Sequence, residues 1–141
     1  MEAVILCGVQ GSGKTTLYRD RFLETHVRVS MDLLRTRARE AAFLAACLET
    51  KQPFVVDNTN PTVADRARYV VPARDAGFKV IAYLVEVDAA IARARRESLP
   101  PAALRDVARR FVRPTPEEGF DELWHVSGSR IEPLLTTPPL F

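Results

Sequence analysis

The stretch Gly8-Val9-Gln10-Gly11-Ser12-Gly13-Lys14-Thr15 limits the architecture of this chain more than any other. It satisfies the spacing G-x-x-x-x-G-K-[ST] in full. It also follows a short apolar, β-branched run at residues 3–8 and precedes a helical pattern over about 14–24. Strand, glycine-rich loop and helix, in that order, make a phosphate-binding loop. Glycines let the backbone wrap an anion and turn its N–H groups inward, and the helix N-terminus adds partial positive charge. The reading is that Gly8 to Thr16 bind ATP or another nucleoside triphosphate. Lys14 would reach the β- and γ-phosphates, and the Thr15 hydroxyl would hold Mg²⁺. The loop does not say what the nucleotide is used for.

The remainder alternates in the same way. Strands are expected at 27–30, 54–60, 78–87 and 123–126. Helices are expected at 33–48, at 62–76 (capped by Thr62, ended by Gly77, kinked at Pro72), at 88–97 after Asp88, and at 101–111 from Pro101. Residues 113–119 read as a loop with one possible helical turn, and the tail beyond 131 has no clear period. Strands separated by helices imply an α/β domain over residues 1–141, with a parallel five-stranded sheet flanked by helices. In such sheets ligands sit at the carboxyl ends of the strands. The residues just after each strand are therefore the ones to examine.

After the second strand come Asp32 and Arg35, three apart at a helix start and so expected on one face. Asp32 could simply cap the helix and Arg35 be solvated. Beside a transferable phosphate, however, a carboxylate can take the proton of an attacking hydroxyl, and an Arg can clamp a phosphate on the acceptor. Asp57 ends the third strand, where a carboxylate approaches the metal; Asn58, Thr59 and Asn60 follow as a polar cluster that could equally be an Asx turn. Arg93, Arg95, Arg96, Arg105, Arg109 and Arg110 lie on the two later helices around "ESLPP". An Arg-bearing helical lid over about 98–114 would stabilise charge on the transferring group and exclude water, although a solvated basic face would look the same.

Composition narrows the partners. Twenty basic and eighteen acidic residues leave a net charge of +2, which excludes a bulk polycation but not a local basic patch. Cys7 and Cys47 fall in apolar runs and read as buried thiols, and His26 and His125 stand apart, so neither a disulfide framework nor a zinc cluster is expected. With no signal-like core and no long apolar run, a cytoplasmic chain without membrane partners is the expectation.

The combination "GVQGSGKTT", "SMDLLR" and "DNTNPTVADRARYVVPARDAG", with "RRFVRPTPEEGFDEL" later, resembles the P-loop polynucleotide 5′-hydroxyl kinases, the kinase domain of polynucleotide kinase/phosphatase enzymes. The resemblance runs over about 2–126. It implies ATP and Mg²⁺ as cofactors, nucleic-acid 5′-OH ends as substrate, and a role in end repair. It makes Asp32 the general base, Arg35 the holder of the phosphate next to the reacting nucleoside, and Arg105 or Arg109 the lid arginine. The D-x-D-G-T signature of the family's phosphatase half does not occur in this chain, so separate phosphatase or ligase partners are the expectation. Two alternatives use the same loop: a kinase of a small metabolite, nucleoside or antibiotic hydroxyl, and a nucleotide-binding regulatory or hydrolytic module.

Overall fold

The computed structural model describes residues 1–87 and 109–134. The chain order is β1 (Glu2–Cys7), α1 (Lys14–Arg21), β2 (Val27–Val29), α2 (Met31–Leu34), α3 (Arg37–Thr50), β3 (Phe54–Asp57), α4 (Val63–Asp75), β4 (Lys79–Glu86), a 3-10 turn (Pro116–Glu118), β5 (Glu122–Ser127) and β6 (Arg130–Pro133). One sheet runs β2-β3-β1-β4-β5-β6. Its first five strands are parallel and β6 is antiparallel to β5.

The α/β architecture is as expected, but the five-stranded sheet is corrected to six. Ser127 pairs with Arg130 across a two-residue Gly128-Ser129 loop in which Gly128 has φ +60°. A glycine at positive φ matches the right-handed twist of a hairpin, so the strand missed in the tail had a local signal.

β1 lies at the centre and is apolar because both its faces are covered. Ala3, Ile5 and Cys7 pack with Val56, Val80, Leu84, Leu44, Tyr69 and Val70 on the side of α3 and α4. Val4 and Leu6 pack with Val55, Tyr83, Leu17, Tyr18 and Phe22 on the side of α1. Because the chain turns from β1 to β2 on one side and later to β4 on the other, the crevice between β1 and β3 is the point where strand order reverses. That is where such sheets bind ligands.

Two helices differ from expectation. The single helix over 33–48 is replaced by α2 and α3, separated at Arg35, whose φ is +73° and ψ is −38°. The Thr36 amide donates to the Leu34 carbonyl at 2.9 Å, closing a γ-turn around Arg35. This positive-φ form of the turn is strained for a residue with a Cβ. Alanine spacing hid the break: Ala38, Ala41 and Ala45 continue a helical period from Leu34, yet all three are exposed and α3 buries Glu40, Leu44 and Cys47 instead. Helix α4 starts at Thr62 with a full capping box: the Thr62 hydroxyl accepts from the Asp65 amide, and the Asp65 carboxylate accepts from the Thr62 amide. It runs on through Pro72 to Asp75. The expected helices at 88–97 and most of 101–111 lie outside the described residues.

Candidate active site

The loop after β1 is built by packing as much as by phosphate geometry. Gly11 and Gly13 adopt φ +79° and +107°, conformations that glycine takes without cost. Gly8 is required for another reason. A Cβ there would lie 2.5 Å from the Val85 carbonyl oxygen and 2.7 Å from the Ser12 hydroxyl. The Gly8 amide donates to the Thr59 carbonyl at 3.0 Å, tying the loop to the end of β3.

Lys14 opens α1 and is buried. Its Nζ donates to the Gly8 carbonyl at 2.8 Å and the Val9 carbonyl at 3.0 Å. Burial pulls its pKa below the ordinary lysine value, with Asp57 opposing the shift more weakly. A bound phosphate would favour the charged form and push it back up.

Register explains why Thr15 meets Asp57: Leu6 on β1 pairs with Asp57 on β3, so the two strands end side by side. The Thr15 hydroxyl donates to Asp57 Oδ2 at 3.0 Å. Arg28 Nε donates to the same oxygen at 2.8 Å, and Arg28 Nη2 lies 3.4 Å from Thr15 Oγ1. Arg28 is on β2 opposite Val55, so it shares the α1 side of the sheet with Asp57 two residues further along β3. A hydroxyl in the first turn of α1 and a carboxylate at the end of β3 are hard oxygen donors of the kind Mg²⁺ takes.

Asn58 fixes the opposite wall. Its Oδ1 accepts from the Met31 amide at 2.9 Å, and its Nδ2 donates to Glu40 Oε2 at 3.1 Å and the Tyr69 hydroxyl at 3.0 Å. Tyr69 in turn donates to Glu40 Oε2 at 3.0 Å, and Arg37 Nη1 donates to Glu40 Oε1 at 2.6 Å and to the Tyr69 oxygen at 3.1 Å. Glu40 and Tyr69 are buried. A buried carboxylate is tolerable only when so fully paired. The network joins β3, α3 and α4 and, through the Met31 amide, ties α2, which carries Asp32, to the end of β3.

These elements enclose a cleft of about 800 Å³. Gln10, Gly11, Gly13, Lys14, Thr15 and Thr16 line it from the loop side, and Asp32, Asp57, Asn58 and Thr59 from the strand ends. Gly8, Val9 and Ser12 shape the loop behind that wall. Arg35 is exposed and is not among the described lining residues; its expected place on one helical face with Asp32 is lost because α2 ends there. Arg37 lines the cleft instead, as does Arg28. Neither had been singled out from the sequence. The signal for Arg28 is a charge inside a strand that otherwise reads as apolar, whereas Arg37 is visible only through the helix break. Arg105 lies outside the described residues, and Arg109 is exposed at their edge. Three cations, Lys14, Arg28 and Arg37, and two carboxylates, Asp32 and Asp57, therefore face one another across the lining.

A phosphate loop on the central strand, a carboxylate on its neighbour and parallel strands in this order define a P-loop kinase fold. A family model described as an AAA domain matches residues 4–114, and the chain belongs to that family. Among curated proteins it is similar to the bifunctional polynucleotide phosphatase/kinase of Schizosaccharomyces pombe, at 28% identity over 135 residues, covering 89% of this chain and 33% of that protein. The chain spans about a third of the length of the curated relatives it matches. Among solved structures it resembles Kti12 from Chaetomium thermophilum in complex with ADP-AlF3, with a TM-score of 0.68 at 18% identity, covering 90% of this chain and 89% of that one. It also resembles the APS kinase CysC of Mycobacterium tuberculosis in complex with AMPPNP and APS, with a TM-score of 0.55 at 20% identity, covering 92% and 89%. At these identities the structural likenesses speak to fold alone.

Proposed function

We propose that this chain is an ATP-dependent kinase that transfers the γ-phosphoryl group to the 5′-OH end of a polynucleotide, RNA or DNA. The observation that carries the reading is that Asp32 faces the same cleft as Lys14, Thr15 and Asp57, in a chain similar along most of its length to a polynucleotide phosphatase/kinase. Asp32 takes the proton of the 5′-hydroxyl. That oxygen bonds to the γ-phosphorus as the bond to the β–γ bridging oxygen breaks, and ADP leaves. Lys14 and the loop amides stabilise charge on the departing and transferring phosphates, and the lid arginine that the family resemblance implies, Arg105 or Arg109, would do the same. Thr15 and Asp57 are the residues that would hold Mg²⁺, which supplies charge neutralisation across the phosphates.

The acceptor lies on the Asp32 side. Arg37, which lines that wall, and Arg35, to which the family resemblance points, are the side chains available for its phosphate. Separate phosphatase or ligase proteins are the natural partners of such an end-modifying enzyme.

Replacing Asp32 by Ala tests the base assignment. Transfer should fall by about 10²–10⁴-fold while nucleotide affinity stays unchanged, as read by a γ-phosphate transfer assay beside a nucleotide-binding titration. Undiminished transfer by the variant would remove Asp32 from the mechanism.

A further inference from the structure

We propose that Arg28 controls access of a divalent cation to Asp57, so that the cation enters together with the nucleotide and not ahead of it. The proposal rests on the reading of Thr15 and Asp57 as the metal-facing pair, and it concerns a residue to which neither the phosphate-loop pattern nor the family resemblance gives a role.

Three donors converge on one atom. Arg28 Nε and Nη2 both lie 2.8 Å from Asp57 Oδ2, and the Thr15 hydroxyl donates to it at 3.0 Å. Arg28 Nη2 also reaches to within 3.4 Å of Thr15 Oγ1. The guanidinium thus spans the same two side chains that a cation would bridge. A magnesium ion needs its oxygens at about 2.0–2.1 Å in near-octahedral array, which leaves no space for a guanidinium on the same lone pairs.

All three contacts fall on Oδ2, and the Asp57 side chain is only 3% exposed, so any approach to its other oxygen brings a cation close to the guanidinium. Removing its positive partner without replacement would leave a buried, uncompensated carboxylate. A cation on Oδ2 therefore displaces Arg28, and one on Oδ1 is opposed by the like charge of the guanidinium held on the same carboxylate.

The cost of that displacement depends on what else arrives. The Arg28 side chain is 22% exposed and lines the cleft, so a guanidinium leaving Asp57 enters the space in front of the phosphate loop. A nucleotide brings phosphate oxygens that serve twice. They complete the coordination of the metal, and they give the released guanidinium a bidentate anionic partner. A metal ion alone offers neither. Binding of metal and nucleotide is then positively coupled, and linkage makes the coupling reciprocal.

Lys14 does not duplicate this function. Its Nζ donates to the carbonyls of Gly8 and Val9 rather than to Asp57.

The test uses Mn²⁺ as the probe, with neither nucleotide nor acceptor present, and reads free Mn²⁺ by electron paramagnetic resonance. Wild type should bind weakly. Arg28→Gln keeps a polar side chain without the charge and should bind Mn²⁺ at least about tenfold more tightly, because no ion pair has to be given up. Arg28→Ala must move in the same direction, with far-UV circular dichroism establishing that at least one of the two variants is folded. Adding Asp57→Asn to Arg28→Gln should abolish the gain. An affinity that is unchanged or weaker in the folded variants, or a gain that survives Asp57→Asn, overturns the proposal. Phosphoryl transfer is not read, so failure of the polynucleotide kinase assignment would leave this result standing.

Discussion

Cys7 sits at the last position of β1, fully buried beneath the phosphate loop, and burial pushes its thiol up to about 12 from an ordinary 9.0. Because the folded protein holds this proton more tightly than the unfolded chain, the stability it contributes is fully present below pH 9.0 and is lost as pH rises towards 12. Cys47, Tyr69 and Tyr83 are raised in the same direction, so their contributions carry the same sign. The contribution of Cys7 is isolated by comparison with Cys7→Ala. Urea titrations between pH 8 and pH 10.5 should show stability falling more steeply for wild type than for the variant. Equal slopes would mean that the thiol is reachable by solvent. The same burial predicts that Cys7 resists alkylation at pH 8 until the protein unfolds.

Among the elements, the segment after the undescribed stretch is anchored by one buried pair. Arg66 on α4 donates through Nε to Glu118 Oε1 at 2.7 Å and through Nη2 to Glu118 Oε2 at 3.1 Å, with side-chain exposures of 0% and 6%. Its Nη1 also supports the Asn60 carbonyl at 2.9 Å, and Asn60 Nδ2 in turn donates to the Leu6 carbonyl at 2.8 Å. The chain entering the 3-10 turn is thus coupled through α4 to the strand that carries the phosphate loop. Glu118→Ala strands a buried guanidinium and should cost about 3–5 kcal/mol in denaturant unfolding. A loss below about 1 kcal/mol would mean that water or another carboxylate replaces the pair.

Elements with a single period were legible in the sequence: β1, β3, β4 and β5 within a residue or a few, and α4 down to its Thr62 cap. The split between α2 and α3 was not, since the alanine spacing runs straight through the γ-turn at Arg35, on positions that α3 leaves exposed, and no glycine marks the turn.

At the scale of the whole molecule, the sheet order brings loop, carboxylate and Asp32 to one edge, and the strand-end rule was enough to select them. Arg28 and Arg37 escaped that rule because one lies within a strand and the other past a break. For Arg28 the local signal is its charge within β2, whereas Arg37 reaches the cleft only because of the break at Arg35. Among the described residues no helix is long and apolar enough to cross a membrane, and no group of His, Cys, Asp and Glu is arranged to hold a metal by itself. In the proposed function, a net charge of +2 with Lys14, Arg28 and Arg37 at one cleft would suit gripping the end of a polyanion and not its length.

The most direct measurement is transfer of labelled γ-phosphate from ATP in the presence of Mg²⁺, offered in parallel to 5′-OH RNA, 5′-OH DNA, free nucleosides and small hydroxyl metabolites. The account predicts label at the 5′ end of at least one of the two oligonucleotides, at rates well above those for free nucleosides and metabolites. Label confined to the small hydroxyl compounds, or ATP turnover that no acceptor stimulates, would contradict it.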